Sequence, residues 1–145
     1  MPTKLPKATI LCVDDSKDIL FLHKTSLEKD GYRVLTASSG HEGLSRLRQN
    51  SIDAAVIDND MPGMSGLYLA SEIKRACHKT PVVMFSASAP PDSMAAIDLF
   101  LSKKLGHRVL IEGLRLLLAK SGRQDALIVA ESHASPGRPA GLRAR

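Results

Sequence analysis

Tryptophan is absent from this 145-residue chain and aromatic side chains make up only 3% of it, so a core must be built chiefly from Leu, Ile, Val, Ala and Met. Cysteine is scarce too. Cys12 lies inside an apolar run and Cys77 near the end of a helical one, with no CxxC spacing at either. That pattern argues against a disulfide framework or a thiolate metal centre and favours core packing in a reducing compartment. No stretch approaches the roughly 18 apolar residues of a membrane span, and the N-terminal MPTKLPKAT lacks the apolar segment of a secretory signal. A cytoplasmic protein with no membrane partner is the expectation. A basic block is missing as well: of the net charge of +5, residues 121–145 carry +2, from Arg123, Arg138, Arg143 and Arg145 against Asp125 and Glu131, leaving +3 for the body. Four scattered arginines without aromatics argue for solvation rather than a nucleic-acid partner.

What the chain does have is a strongly organised stretch, residues 51–66, reading SIDAAVIDNDMPGMSG. Its apolar run at residues 54–57 suits a strand covered on both faces, and Pro62 and Gly63 prevent its continuation. Asp58 therefore stands where a buried strand opens into a loop, the position at which parallel α/β sheets gather their chemistry.

The rest repeats the theme. Residues 8–13 (ATILCV) end in Asp14 and Asp15; residues 16–30 are helical, with Ser16 as a cap, Ile19, Leu20, His23 and Leu27 on one side, and Gly31 as the stop. His23, between Ile19 and Leu27 at helical spacing, reads as a packing residue at the boundary of the core. A strand at 32–37 precedes a helix at 39–49 that buries Leu44 and Leu47, although Gly43 weakens it by about 1 kcal/mol relative to Ala. Residues 67–77 form a helix with Leu69, Ile73 and Ala76 facing inward, and VVMF then leads to Ser86. Pro90 and Pro91 limit residues 87–97 to one or two helical turns before a fifth short strand at 99–101, which Lys103 and Lys104 follow. A last helix at 109–120 places Leu110, Leu114 and Leu117 on one face. Residues 1–122 are expected to form one domain, and residues 123–145 a mostly disordered basic tail.

Strands alternating with helices imply a parallel five-stranded sheet flanked by helices on both faces, with right-handed crossovers. All strands then point one way, so Asp14, Asp15, Asp58, Ser86 and Lys103 fall along one edge and can converge. Three carboxylates in one pocket repel one another unless a cation compensates, and oxygen ligands with room for water suit magnesium. A backbone carbonyl from Asp60 can complete the set. Asp58 can then act as a nucleophile toward phosphorus, with magnesium and Lys103 neutralising the equatorial oxygens and Ser86 donating a hydrogen bond.

Four pieces together, the acidic pair of LCVDD, the motif DNDMPGMSG, Ser86 followed by Ala87, and DLFLSK with Lys103, make residues 8–120 resemble the receiver domain of bacterial two-component response regulators. The resemblance implies a flavodoxin-like sheet in order 2-1-3-4-5, with Asp58 as phosphoacceptor and Asp14, Asp15, Asp58 and the Asp60 carbonyl around magnesium. It also implies that Lys103 pairs with the phosphoryl group and that Ser86 and Phe100 are the hydroxyl and aromatic switch positions. A histidine kinase or phosphotransfer protein would be the donor and an unidentified protein the output partner. The chain would catalyse only its own phosphorylation and dephosphorylation and, lacking room for an effector domain, would stand alone. Two departures stand out. The span from Ser86 to Lys103 is short by about five residues, more than a helical turn, so the family's fourth helix should be shortened or absent. Lys104 replaces the usual proline, so a trans bond is expected there.

These departures motivate an alternative, a pseudo-receiver adaptor that binds a partner without a phosphorylation switch. A phosphatase with a nucleophilic aspartate is suggested by the spacing of Asp58 and Asp60, but such enzymes carry DxD on their first strand, followed by Thr or Val where Pro62 stands here. DNA binding through the arginines of the tail is a further alternative.

Overall fold

The apolar runs become strands β1 (Thr9–Val13), β2 (Arg33–Ala37), β3 (Ala54–Ile57), β4 (Val82–Ser86) and β5 (Leu99–Ser102). In the computed structural model, which describes residues 5–120, they pair in parallel in the order β2-β1-β3-β4-β5, as expected. Every residue of β3 and β4 is buried, which a parallel sheet covered on both faces requires of its inner strands. The domain boundary expected at 122 and the tail 123–145 lie outside the described residues.

Four helices occur among the described residues: α1 (Lys17–Lys29), α2 (Gly40–Gln49), α3 (Gly66–Ala76) and α4 (His107–Lys120). Ser16, Ser39 and Ser65 cap the first three, their hydroxyls accepting from the backbone N–H of Ile19, Glu42 and Tyr68. Alternation along the strands divides the core. Ile10, Cys12, Val56, Val83 and Phe85 pack with Leu20 and Leu27 of α1 and Leu110 and Leu114 of α4. Leu11, Val13, Ala55, Ile57 and Met84 pack with Leu69 and Ile73 of α3, and Leu44 and Leu47 of α2 lie partly buried against them.

Several inward positions differ from expectation. Gly43 is itself on the inner face of α2, where a Cβ would lie 2.9 Å from Val13 Cγ2; its small size lets the helix approach the sheet and leaves Leu44 and Leu47 at the margin. In α3 Ala70 is buried instead of Ala76, which is exposed, and Leu118 of α4 is buried more deeply than Leu117. Cys77 is exposed rather than part of the core, because α3 ends there, while Cys12 is fully buried as expected.

Residues 87–98 contain no helix. Ile97 instead enters the core beneath α3, and the Asp98 carboxylate accepts from the Val82 N–H and from Lys74 Nζ, both at 2.7 Å, pinning the start of β5 to β4. Beyond β5 the chain makes one tight turn, Lys103–Leu105, with the Ser102 hydroxyl accepting from the Lys104 N–H. No cis peptide occurs among the described residues, so the Lys103–Lys104 bond is trans.

Candidate functional site

Sheet register builds the site. Val13 pairs with Ile57 across β1 and β3, so Asp14 and Asp58 leave adjacent strands at the same level. Ser86 pairs with Ser102 across β4 and β5, which puts the hydroxyl and Lys103 on the same rim. Asp14, Asp15 and Asp58 each present a carboxylate oxygen within 4.8 Å of the other two; Asp14 and Asp58 are buried and Asp15 is exposed. Lys103 is the lysine that reaches them. Its Nζ donates to Asp14 Oδ2 at 2.7 Å and stands 3.6 Å from Asp58 Oδ1.

These surroundings set the charge of Asp58. Burial pushes its carboxyl above the ordinary aspartate range; the Lys103 ammonium opposes that, and Asp14 adds to it. The other Asp14 oxygen accepts from the Ser16 N–H at 3.0 Å, which fixes the carboxylate at the start of α1.

Asn59 and Gly66 fix the loop after β3. The Asn59 side-chain oxygen accepts from the Leu67 N–H and its carbonyl from the Gly66 N–H, both at 3.1 Å, so the loop is clamped to the first turn of α3. Gly63 has a φ of +80°, a conformation that glycine adopts without strain. Met61 is buried, and Met64 packs against Gly40 of α2.

The Asp60 side chain turns toward β4. Its Oδ2 accepts from the Ser86 hydroxyl at 3.4 Å and, at close range, from the hydroxyl of Ser88, whose N–H in turn donates to Ser86 Oγ at 3.2 Å. Phe100 is partly buried, opposite Met84 in the register, and packs against the α3-side core. The structure therefore brings together Asp14, Asp15, Asp58 and Lys103, with Ser86 joined to Asp60, while Phe100 sits apart at the edge strand.

Sequence reading did not single out Ser88 or Asn59. The hydroxyl of Ser88, two residues beyond β4, was the one available signal; the role of Asn59 depends on a turn whose path only the fold reveals.

The donor set fits a hard divalent cation: only oxygen ligands, two of them on buried carboxylates, and one neighbouring amine that offsets part of their charge. Residues 10–128 match the family model for the response regulator receiver domain. The transcriptional regulatory protein CpxR of Klebsiella pneumoniae is 32% identical over 117 residues, 77% of this chain and 50% of CpxR, so the chain spans about half the length of that relative. The response regulator TrrA of Thermotoga maritima, solved in complex with Mg(2+)-BeF, is 31% identical with a TM-score of 0.72, covering 76% of this chain and 98% of TrrA. TrrA has also been solved in complex with the histidine kinase ThkA, matching at 32% identity and a TM-score of 0.71 over 77% of this chain and 98% of TrrA. A receiver domain protein of Methanospirillum hungatei is 27% identical with a TM-score of 0.77, over 83% and 99% of the two chains. With its sheet order, its acidic rim and these likenesses in agreement, the chain belongs to the response regulator receiver domain family.

Proposed function

We propose that Asp58 accepts a phosphoryl group from a histidine kinase or phosphotransfer protein. The observation that carries this reading is the meeting of Asp14, Asp15 and Asp58 beside Lys103. A carboxylate oxygen of Asp58 attacks phosphorus, the O–P bond forms as the P–N bond to the donor imidazole breaks, and the donor leaves as histidine. Asp14, Asp15, Asp58 and the Asp60 carbonyl would hold magnesium, which when bound supplies positive charge to the phosphoryl oxygens. Lys103 exchanges its contact with Asp14 for one with the incoming group, and the Ser86 hydroxyl turns from Asp60 to donate to it. Phe100 would follow the movement of Ser86 from the neighbouring strand. On this reading the chain is a signalling module that catalyses only its own phosphorylation and dephosphorylation. The complex of TrrA with a histidine kinase supports the choice of donor.

A small phosphodonor with magnesium should label the wild-type chain and leave Asp58→Ala unlabelled; equal labelling of the two removes the assignment.

The adaptor reading, in which the fold persists without a switch, is favoured by one observation: residues 87–98 contain no helix to move. Beryllofluoride with magnesium separates the two, since a switch shifts the amide signals of Ser86 and Phe100 and an adaptor leaves them in place. Within the acidic rim itself, Asp58 follows the third strand rather than the first, which disfavours the phosphatase reading.

A further inference from the structure

Away from the acidic pocket lies a buried cluster of titratable groups that phosphoryl transfer does not use. His23 of α1 is 2% exposed, and its Nδ1 lies 2.8 Å from Nε2 of His107, the first residue of α4. Phe85, the residue before Ser86, packs against both rings, with centroids 5.5 Å from His23 and 5.6 Å from His107. Three rings thus join the first helix, the fourth strand and the last helix at one point.

The spacing identifies what the two imidazoles share. Two nitrogens bound to one tetrahedral zinc stand about 3.3 Å apart, given Zn–N bonds of about 2.05 Å. A separation of 2.8 Å fits a hydrogen bond in which one ring donates and the other accepts. The pair is a proton site.

Its surroundings keep that site neutral. A cleft of about 390 Å³ between α1 and α4 opens onto His107 and is lined by Lys29, Asp30, Arg108, Glu112 and Arg115. Both carboxylates there are engaged by cations, Asp30 by Lys7 at 3.1 Å and Glu112 by Arg115 at 3.0 Å. On the sheet side, the Cys12 thiol, kept protonated by burial, shares its layer with Phe85. Burial, followed by His107 and Lys103, pushes His23 down to about 3, and burial also lowers His107.

We propose that the His23–His107 pair is a proton-binding regulatory site coupled to Asp58, such that acquisition of an anion by Asp58 and uptake of a proton by the pair favour each other. The inference rests on Asp58 being the phosphoacceptor. Lys103 is the shared group: it contacts Asp14 and Asp58 on one side, and its charge opposes protonation of His23 on the other. At constant magnesium, a new anion on Asp58 offsets that charge and eases proton entry. Phe85 gives a second route, because a shift of Ser86 toward the anion moves the neighbouring ring that packs on both histidines. Linkage makes the effect reciprocal, so mild acid favours the anion-bound state.

The test is an NMR titration of the imidazole signals in the whole chain, with magnesium in every sample and beryllofluoride in half of them. Beryllofluoride should raise the midpoint of His107 by about 0.3 pH unit or more while the exposed His41 and His78 stay put. His107→Gln keeps a polar partner for His23 and should abolish the pH dependence of beryllofluoride affinity attributable to the pair. Amide shifts beside Asp58 without movement of either midpoint overturn the coupling and leave the phosphoacceptor standing. Absence of any shift beside Asp58 overturns both.

Discussion

A Cβ built on Gly66 lies 2.2 Å from the carbonyl oxygen of Asp58 and 2.6 Å from the Asn59 Cα, so the first residue of α3 rests directly against the backbone of Asp58 and Asn59. No side chain fits there without moving the loop that aims Asp58. Gly66→Ala should destabilise the fold by about 1–3 kcal/mol, as overpacking does, and reduce labelling by a small phosphodonor. Gly63→Ala, at a φ of +80° with open space around it, should cost only about 1 kcal/mol and leave labelling close to wild type. Equal effects from the two in denaturant melts would mean that the Gly66 contact is unimportant.

The two neighbouring lysines should behave differently. Lys103→Ala removes the ammonium 2.7 Å from Asp14 and should slow phosphoryl uptake by about tenfold or more, since charge neutralisation is most of what this chemistry requires. Lys104→Ala should change the rate less than about twofold, because among the described residues no ion pair or hydrogen bond joins Lys104 to the acidic group, and its N–H donates to the Ser102 hydroxyl. Single-turnover labelling of both variants checks this.

Asp60 connects Ser86 and Ser88, and breaking that connection should alter how long the acyl phosphate lasts. Ser88→Ala leaves the Asp60 carboxylate with only the longer contact from Ser86, and Asp60→Asn removes its charge. Each should change the decay rate by a factor of about 2–10, a difference of roughly 0.4–1.4 kcal/mol in the barrier. Identical decay in all three chains would show that the contact has no part in hydrolysis.

Acid should weaken the fold through His23. Burial holds this side chain neutral down to about pH 3, whereas the unfolded chain takes up a proton near 6.5. Stability from this residue is therefore complete above about pH 6.5 and falls as pH drops toward 3, with a limiting slope of about 1.4 kcal/mol per unit. His23→Gln should be less stable at neutral pH and show a shallower acid limb in urea melts. An unchanged limb would assign acid sensitivity to other groups.

Much of the site was legible because strand direction is a strong constraint. Once five apolar runs read as parallel strands, Asp14, Asp58, Ser86 and Lys103 had to share an edge, and register then brought three of them into contact. The helix missing between β4 and β5 was legible, as one shortened or absent, from Pro90 and Pro91 and from a Ser86–Lys103 span shorter than the family resemblance implies. Periodicity failed where small residues were concerned. Gly43, read as a weak point, is the close-packed surface of α2, and α3 turns Ala70 inward instead of Ala76. The pairing of His23 with His107, 84 positions apart, could not be read at all: it depends on how two helices sit on one face of the sheet.

The non-helical passage from β4 to β5 has one further meaning. A rod packed against a sheet can change only where its buried stripe allows, but here Ile97 and Asp98, with Ala96 packed beside them, fasten the end of the passage, and residues 87–90 and 92–95 are exposed. Apart from Ser88, which Asp60 engages, those exposed positions can change one at a time without loss of the fold, so this rim has room to take on new recognition.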